Sequence, residues 1–479
     1  LSFNFFFFFL LPFLIEEDTS MKEAVVETGK YHRNSSYNPI ELEYGVKKGL
    51  TQVDAKSFSN LKEISTSRDD KYILNSTGDI KLLVVPVRFK GEKSEKLEEK
   101  RIDIQNAFFG DKSHNSYESV ASYYNQSSYG QLRITGEVAD WYECGFTISQ
   151  AKAETIKAGN SGEAVSKLIA AQALDYIKSQ GKIDLSKYDI DGDDNIDAIY
   201  FVYDYPQDEG ENGKQCPLFW AYFDSVPRNH KSGEVYYNAT APYVSSYSWS
   251  SVDFMGKNYL TTNVVEANTY IHETGHLLGL DDYYNTNPKV TDVSSPTAAG
   301  IFQPTGFMDM MDYNIGDHNC FSKYILDWTY PYVLDGECEI TLESFTKTGD
   351  FILIPSPNWN GTPYDEYLLI EYYTPDKLNY AFNFPTYTYV DGYMNPRVFN
   401  YPTKHGLRVY HVDARLGYYK TKAIKKTESR VFDDPGLEEF MSTYGTKYID
   451  FHQSNDTQGY VDDNSEVLIH LLESSGENS

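Results

Sequence analysis

The chain has 479 residues, with 70 acidic side chains against 42 basic ones and a formal charge of −28. Nucleic acid and anionic membrane surfaces both require Lys/Arg-rich faces, and no basic cluster stands out, so neither is an expected partner. At 41% hydrophobic and 15% aromatic residues the chain can bury a core, and its length allows two or three domains or one large catalytic body with appendages.

In chain order, residues 1–20 contain an apolar run from Phe5 to Ile15, short of the roughly 20 helical residues that span a bilayer. That run reads as the h-region of a signal peptide, or as mistranslated leader ahead of Met21. Residues 21–79 are polar and weakly periodic, and read as a pro-segment or N-terminal extension. A mixed α/β body is expected over 80–335. Its first strand is Lys81–Phe89, followed by helices near 96–109 and 117–124, a strand at 131–138, an amphipathic helix at 161–180 and a buried strand at 198–203. From 336 to 479 the signals change to short β-like runs (339–342, 351–354, 367–373, 406–412 and 466–471), which suggest a β-sandwich-like unit. No second apolar span follows, so stable membrane insertion is not expected.

The four cysteines, Cys144, Cys216, Cys320 and Cys338, include no C-x-x-C, which excludes a thiolate zinc cluster and a thioredoxin-like site. Two disulfides or four free thiols both fit this spacing.

Chemistry concentrates in Asn263–Tyr284, NVVEANTYIHETGHLLGLDDYY. Asn263, with Glu266 three positions on, suits a capped helix start. His272 and His276 lie four apart, so both imidazoles project from one helix face and can share a metal. Neutral imidazoles suit Zn²⁺. Glu273 stands beside the first histidine, where a carboxylate can take a proton from a metal-bound water. Gly279 can adopt a positive φ, end the helix and let Asp282 return to the metal as third ligand, although Asp281 or a more distant acid could serve instead. Two His, one carboxylate and an open position describe a catalytic zinc site, whereas a structural site is closed by four protein ligands.

Downstream, Gly306-Phe-Met-Asp-Met-Met-Asp-Tyr313 has the composition of a methionine turn, with Met311 as the apolar floor beneath the metal. Tyr313 completes a Met-x-Tyr spacing and could donate its hydroxyl to an oxyanion.

These segments together resemble the immune inhibitor A family of zinc metallopeptidases, which are metzincin-like. The resemblance is carried by Ser119–Leu132, His272–Tyr284, Met308–Met311 leading to Ser322–Trp328, and the β runs Tyr367–Tyr373 and Gly406–Asp413, over roughly residues 80–415. It implies a metzincin-like α/β (α+β) catalytic domain with a mixed sheet and an active-site helix, endopeptidase activity on protein or peptide substrates, secretion, and a removable pro-segment. No cysteine precedes Cys144 in this sequence, so latency through a cysteine switch is not expected.

Lesser features complete the reading. Asp189, Asp191, Asp193, Asn195 and Asp197 alternate as hard-ligand loops for Ca²⁺ do, but Asp194 stands at the usual Gly position of an EF-hand and Tyr200 at the usual Glu. Asp317 is the expected N-cap of a helix running to Trp328, and His318 is not expected to be a ligand. His411 reads as a core histidine. Six N-glycosylation sequons occur, at Asn34, Asn75, Asn125, Asn238, Asn360 and Asn455. Rival readings are a surface-binding or adhesin module on a degenerate peptidase scaffold, and a metal-dependent hydrolase of non-peptide bonds.

Overall fold

A computed structural model describes residues 2–4, 26–31, 42–47, 74–93, 96–190, 192–206, 216–226, 238, 240–255, 265–280, 282–283, 305, 309–334, 339–355, 366–383, 387–390, 393–396, 405–413 and 468–474. The chain divides into two compact units, one of residues 71–280 with 387–397, the other of 1–70, 281–386 and 398–479.

The first unit is built on β1 (Gly78–Arg88), β2 (Leu132–Val138), β3 (Tyr142–Glu143), β4 (Ile199–Tyr203), β5 (Tyr222–Ser225) and β6 (Ser246–Ser251). They form one six-stranded mixed sheet in the order β2-β1-β4-β6-β5, with β3 also pairing β1. Only β5 runs antiparallel to its neighbour. Parallel strands are covered on both faces, and the sequence shows it: Leu82 to Val85 and Ile199 to Tyr203 are buried without alternation. Helices α1 (Leu97–Phe109), α2 (Val120–Ser127), α3 (Ile148–Lys157), α4 (Gly162–Gln180) and α5 (Asn268–Leu277) complete the unit. Their ends follow local chemistry. Ser119 and Thr147 each close a reciprocal capping box, and Gly181 ends α4 in the left-handed conformation. On one face of the sheet, Val165, Ile169, Ala173 and Ile177 of α4 meet Phe201, Tyr203 and Trp249 in a single core.

Strand β6 reads Ser-Tyr-Ser-Trp-Ser-Ser, a pattern that does not announce itself as interior, yet all six residues are buried. Its hydroxyls have partners: Ser248 Oγ donates to the Glu273 carbonyl at 3.3 Å, Ser250 Oγ pairs with Tyr200 Oη at 2.9 Å, and Ser251 Oγ donates to the Tyr205 carbonyl at 2.6 Å. A buried hydroxyl costs stability unless it is hydrogen-bonded, and here it is.

The second unit contains a seven-stranded sheet in the order Leu468–Ser474, Gly406–Asp413, Glu366–Tyr373, Phe351–Pro355, Tyr332–Val333, Leu42–Lys47 and Val26–Tyr31. The last two strands fall in the segment expected to be a poorly structured extension, and they pair with one another antiparallel. The C-terminal strands lie close to where their β runs place them. A two-layered β-sandwich, however, is not what the described residues display. One face gathers Ile352, Ile370 and Val409 with Leu334 and Leu342. On the other, Phe351 meets the rings of Tyr324 at 5.9 Å and Phe345 at 6.1 Å, both from short helices: α7 (Cys320–Ile325) and α8 (Phe345–Thr348). A further short helix, α6 (Met310–Tyr313), precedes α7 in the chain. Among the described residues no helix is long and apolar enough to cross a membrane.

Candidate metal centre

The motif helix α5 starts at Asn268, with Ala267 as N-cap and no side-chain cap bond. The expected Asn263–Glu266 capping box is therefore not formed by this helix. Asn263 lies outside the described residues, and Glu266 sits two residues before the helix, where burial pushes its carboxyl up to about 7. Without a cap, α5 is held by bonds from its surroundings. Tyr124 Oη donates to the Ile271 carbonyl at 2.7 Å, Tyr270 Oη to the Ser251 carbonyl at 2.8 Å, and Leu74 N–H to the Leu277 carbonyl at 2.8 Å. Phe108 stacks on Tyr270, with centroids 5.1 Å apart.

The helix ends as its glycine predicts. Gly279 has φ +89°, and Leu280 N–H returns to the Gly275 carbonyl at 3.0 Å, the longer bond of a Schellman-type end. This turn also orients His276. The Leu280 carbonyl lies 2.7 Å from His276 Nδ1, and a carbonyl only accepts, so Nδ1 carries the proton and Nε2 presents a lone pair. His272 is buried, with its ring 4.9 Å from that of His276 and at 82° to it.

His272, His276 and Asp282 each offer one ligand atom, and these three atoms lie within 4.8 Å of one another. Their spacing fits a single ion with two imidazole nitrogens and one carboxylate oxygen. Asp281, the alternative acid, lies outside the described residues. Glu273, next to His272, is buried at 5% exposure. Tyr200 is close enough to Glu273 that the carboxylate's charge joins burial in pushing the phenol well above its ordinary range.

In the methionine segment, Met310 and Met311 are fully buried, and Asp309 caps α6 by accepting Met311 N–H at 2.7 Å. The Met311 carbonyl accepts Tyr283 N–H at 2.9 Å, which ties this segment to the residue following Asp282. Tyr313 closes α6 through its backbone; its side chain, like Met308, lies outside the described residues.

Other expectations fare differently. Asn319, not Asp317, caps α7, accepting Ser322 N–H at 3.0 Å. Asp317 is occupied otherwise: its Oδ2 takes the ammonium of fully buried Lys323 at 2.6 Å. In the acidic loop, Asp191 lies outside the described residues, and the remaining carboxylates serve the loop itself. Asp189 accepts the N–H groups of Asp193 at 3.0 Å and Asp194 at 3.1 Å, Asp193 accepts Asn195 N–H at 2.9 Å, and Asp197 accepts Ile190 N–H at 2.6 Å. Asp194 does take the left-handed backbone of the EF-hand glycine, at φ +67°. Even so, among the described residues no group of three acids in this loop meets the spacing found at His272, His276 and Asp282. Cys144, Cys216 and Cys320 are free thiols, and Cys338 lies outside the described residues. His411 is buried, as expected. The sequon residue Asn238 is buried too, its amide donating to the Ala171 carbonyl at 2.7 Å, so that side chain has a structural task.

Residues 94–200 match the family model of the immune inhibitor A peptidase M6 catalytic domain. Over that stretch the chain is similar to the immune inhibitor A peptidases. The similarity supports a metallopeptidase acting on protein substrates, and that family implies a metal, generally zinc. The matched stretch ends before His272, so the family assignment and the His272–Asp282 grouping are separate observations. No curated protein matches the chain.

The sequence pattern flagged neither the Leu280 carbonyl as partner of His276 nor the Asp309 carboxylate as acceptor for Met311 and Asn319. The first leaves no side-chain signal. The second was visible only as one acid within the methionine segment.

Proposed function

We propose that this chain is a secreted zinc-dependent endopeptidase whose general base is Glu273. The observation that carries the reading is the convergence of His272, His276 and Asp282 donor atoms within 4.8 Å, with Glu273 adjacent on the same buried helix. The donor set fits zinc: two imidazoles, one held in the Nε2-presenting tautomer by Leu280, and one carboxylate. When bound, Zn²⁺ supplies Lewis acidity that lowers the pKa of a water and polarises the scissile carbonyl. Glu273 accepts the proton of the attacking water and delivers it to the departing amine nitrogen. Tyr313 is assigned to the oxyanion on the Met311-x-Tyr313 spacing. Secretion rests on the apolar run at residues 5–15 and on the family resemblance. Calcium at Asp189–Asp197 forms no part of the reading, and intact ligands and base leave the degenerate-scaffold reading without support.

Cleavage of a denatured protein substrate tests this. Activity is expected to disappear with a chelator, return with Zn²⁺, and fall about 10²–10⁴-fold in Glu273→Gln while zinc binding is retained. Chelator-insensitive cleavage, or full activity in Glu273→Gln, would remove the mechanism.

A further inference from the structure

We propose that Asp309 is a positioning residue for the zinc ligand Asp282, acting through a two-armed hydrogen-bond circuit that closes on Tyr283. This rests on the reading of Asp282 as third ligand. Asp309 has no exposed surface, and its two carboxylate oxygens face different ways. Oδ1 accepts Met311 N–H at 2.7 Å, and the carbonyl of that same Met311 accepts Tyr283 N–H at 2.9 Å. Oδ2 accepts Asn319 N–H at 2.6 Å; the Asn319 side chain accepts Ser322 N–H at 3.0 Å, and Ser322 Oγ meets Tyr283 Oη at 2.8 Å. One arm fixes the Tyr283 backbone and the other its phenol. Tyr283 is thus held at both ends, and Asp282 is the residue immediately before it. His318 adds to the setting, with Nδ1 3.6 Å from Asp309 Oδ1 and no side-chain exposure on either residue.

The physical case rests on leverage. Tyr283 is 2% exposed and cannot swing without losing packing as well as both bonds. Asp282 is half-buried and follows the left-handed Gly279 by three residues. Charge-assisted bonds from a buried carboxylate to two N–H groups are the strong kind. Groups that orient metal ligands from behind typically account for 10–100-fold in metal affinity. The methionine segment accordingly has a second task besides its apolar surface: its backbone transmits Asp309 to the third ligand.

The test measures zinc affinity by competition with a chromophoric chelator on the full-length chain, with urea melts of the metal-free protein alongside. Asp309→Ala is expected to weaken zinc 10–100-fold, and Asp309→Asn, which keeps one acceptor oxygen, less. Thr329→Val is the control, because it removes a buried hydrogen bond of the same unit, Thr329 Oγ1 to the Gly349 carbonyl at 2.5 Å, without touching the circuit. Asp309→Asn serves if the alanine variant does not fold. Wild-type zinc affinity in the Asp309 variants, or an equal loss in Thr329→Val, overturns the proposal. Asp282→Ala separates the two levels. If it binds zinc as the wild type does, the ligand assignment fails and the positioning role with it. If it weakens zinc while the Asp309 variants do not, only the positioning role fails.

Discussion

Gly279→Ala probes the turn on which the third ligand depends. At φ +89° an alanine carries a Cβ in the left-handed region, at a cost of roughly 1–2 kcal/mol. Stiffening the unfolded chain returns about 0.4–1 kcal/mol, so the variant that keeps the native turn loses about 1 kcal/mol net. If the backbone instead relaxes to negative φ, it gives up the Leu280 N–H bond to Gly275 at 3.0 Å and the His276 Nδ1 bond to the Leu280 carbonyl at 2.7 Å, each worth about 1 kcal/mol net. That second route also releases the His276 tautomer and displaces Asp282. Stability therefore falls by about 1–2 kcal/mol on either route, and zinc affinity separates them: near wild type on the first, clearly weakened on the second. Urea unfolding of the metal-free chain, paired with chelator competition, reads both. Gly279→Asn is the internal comparison, since asparagine tolerates positive φ and should cost less than alanine. Equal stability for alanine and glycine, or an asparagine as costly as alanine, would refute the reasoning.

Two further outcomes follow from buried charge. Glu266 has a carboxyl pushed up to about 7 by burial, so the folded chain holds a proton there that an unfolded chain, near 4.5, has released. Stability therefore falls as pH rises from about 4.5 to 7, and Glu266→Gln should flatten that stretch and raise unfolding stability at pH 8 by at most about 3 kcal/mol, less where solvent reaches the group; a parallel pH profile in the variant contradicts this. Arg408, 2% exposed, lies with its guanidinium carbon 3.8 Å above the Tyr373 ring and Nη1 3.4 Å from Glu371 Oε1. Arg408→Met should cost about 3–5 kcal/mol by leaving Glu371 buried without its cation, and adding Glu371→Gln should recover much of it, as a double-mutant cycle in denaturant will show.

What could be read from the sequence divides along physical lines. Strands and helices with a strong apolar pattern lie where the pattern puts them: the strand expected at 198–203 is Ile199–Tyr203, and the helix expected at 161–180 is Gly162–Gln180. The motif helix, its glycine end and the three ligand candidates follow from spacing alone, because an i, i+4 pair and a left-handed glycine are local constraints. Three features escaped. Strand β6 is serine-rich, and only its partners at Glu273, Tyr200 and Tyr205 make its hydroxyls acceptable inside. The start of α5 differs because no side chain caps it, and tertiary bonds from the Tyr124 and Tyr270 hydroxyls tie the helix to its surroundings instead. Asp317 looked like an N-cap since nothing local reveals that Lys323 would be buried against it.

The charge of −28 can now be separated into two populations. Three interior carboxylates have a cation at hand: Asp317 with Lys323 at 2.6 Å, Glu371 with Arg408 at 3.4 Å, and Asp204 with Lys100 at 2.5 Å. Such pairs add nothing to the net charge, so the surplus belongs to acids outside them, where it favours solubility and attracts cations without specifying a fold. The His272–Asp282 segment carries two carboxylates of interest, Glu273 and Asp282, beside imidazoles rather than an ammonium or guanidinium. One divalent ion would balance those two charges, as Lys323 and Arg408 balance those of Asp317 and Glu371. On the proposed reading, a divalent ion held there would supply the counter-charge that Lys323 and Arg408 supply to Asp317 and Glu371.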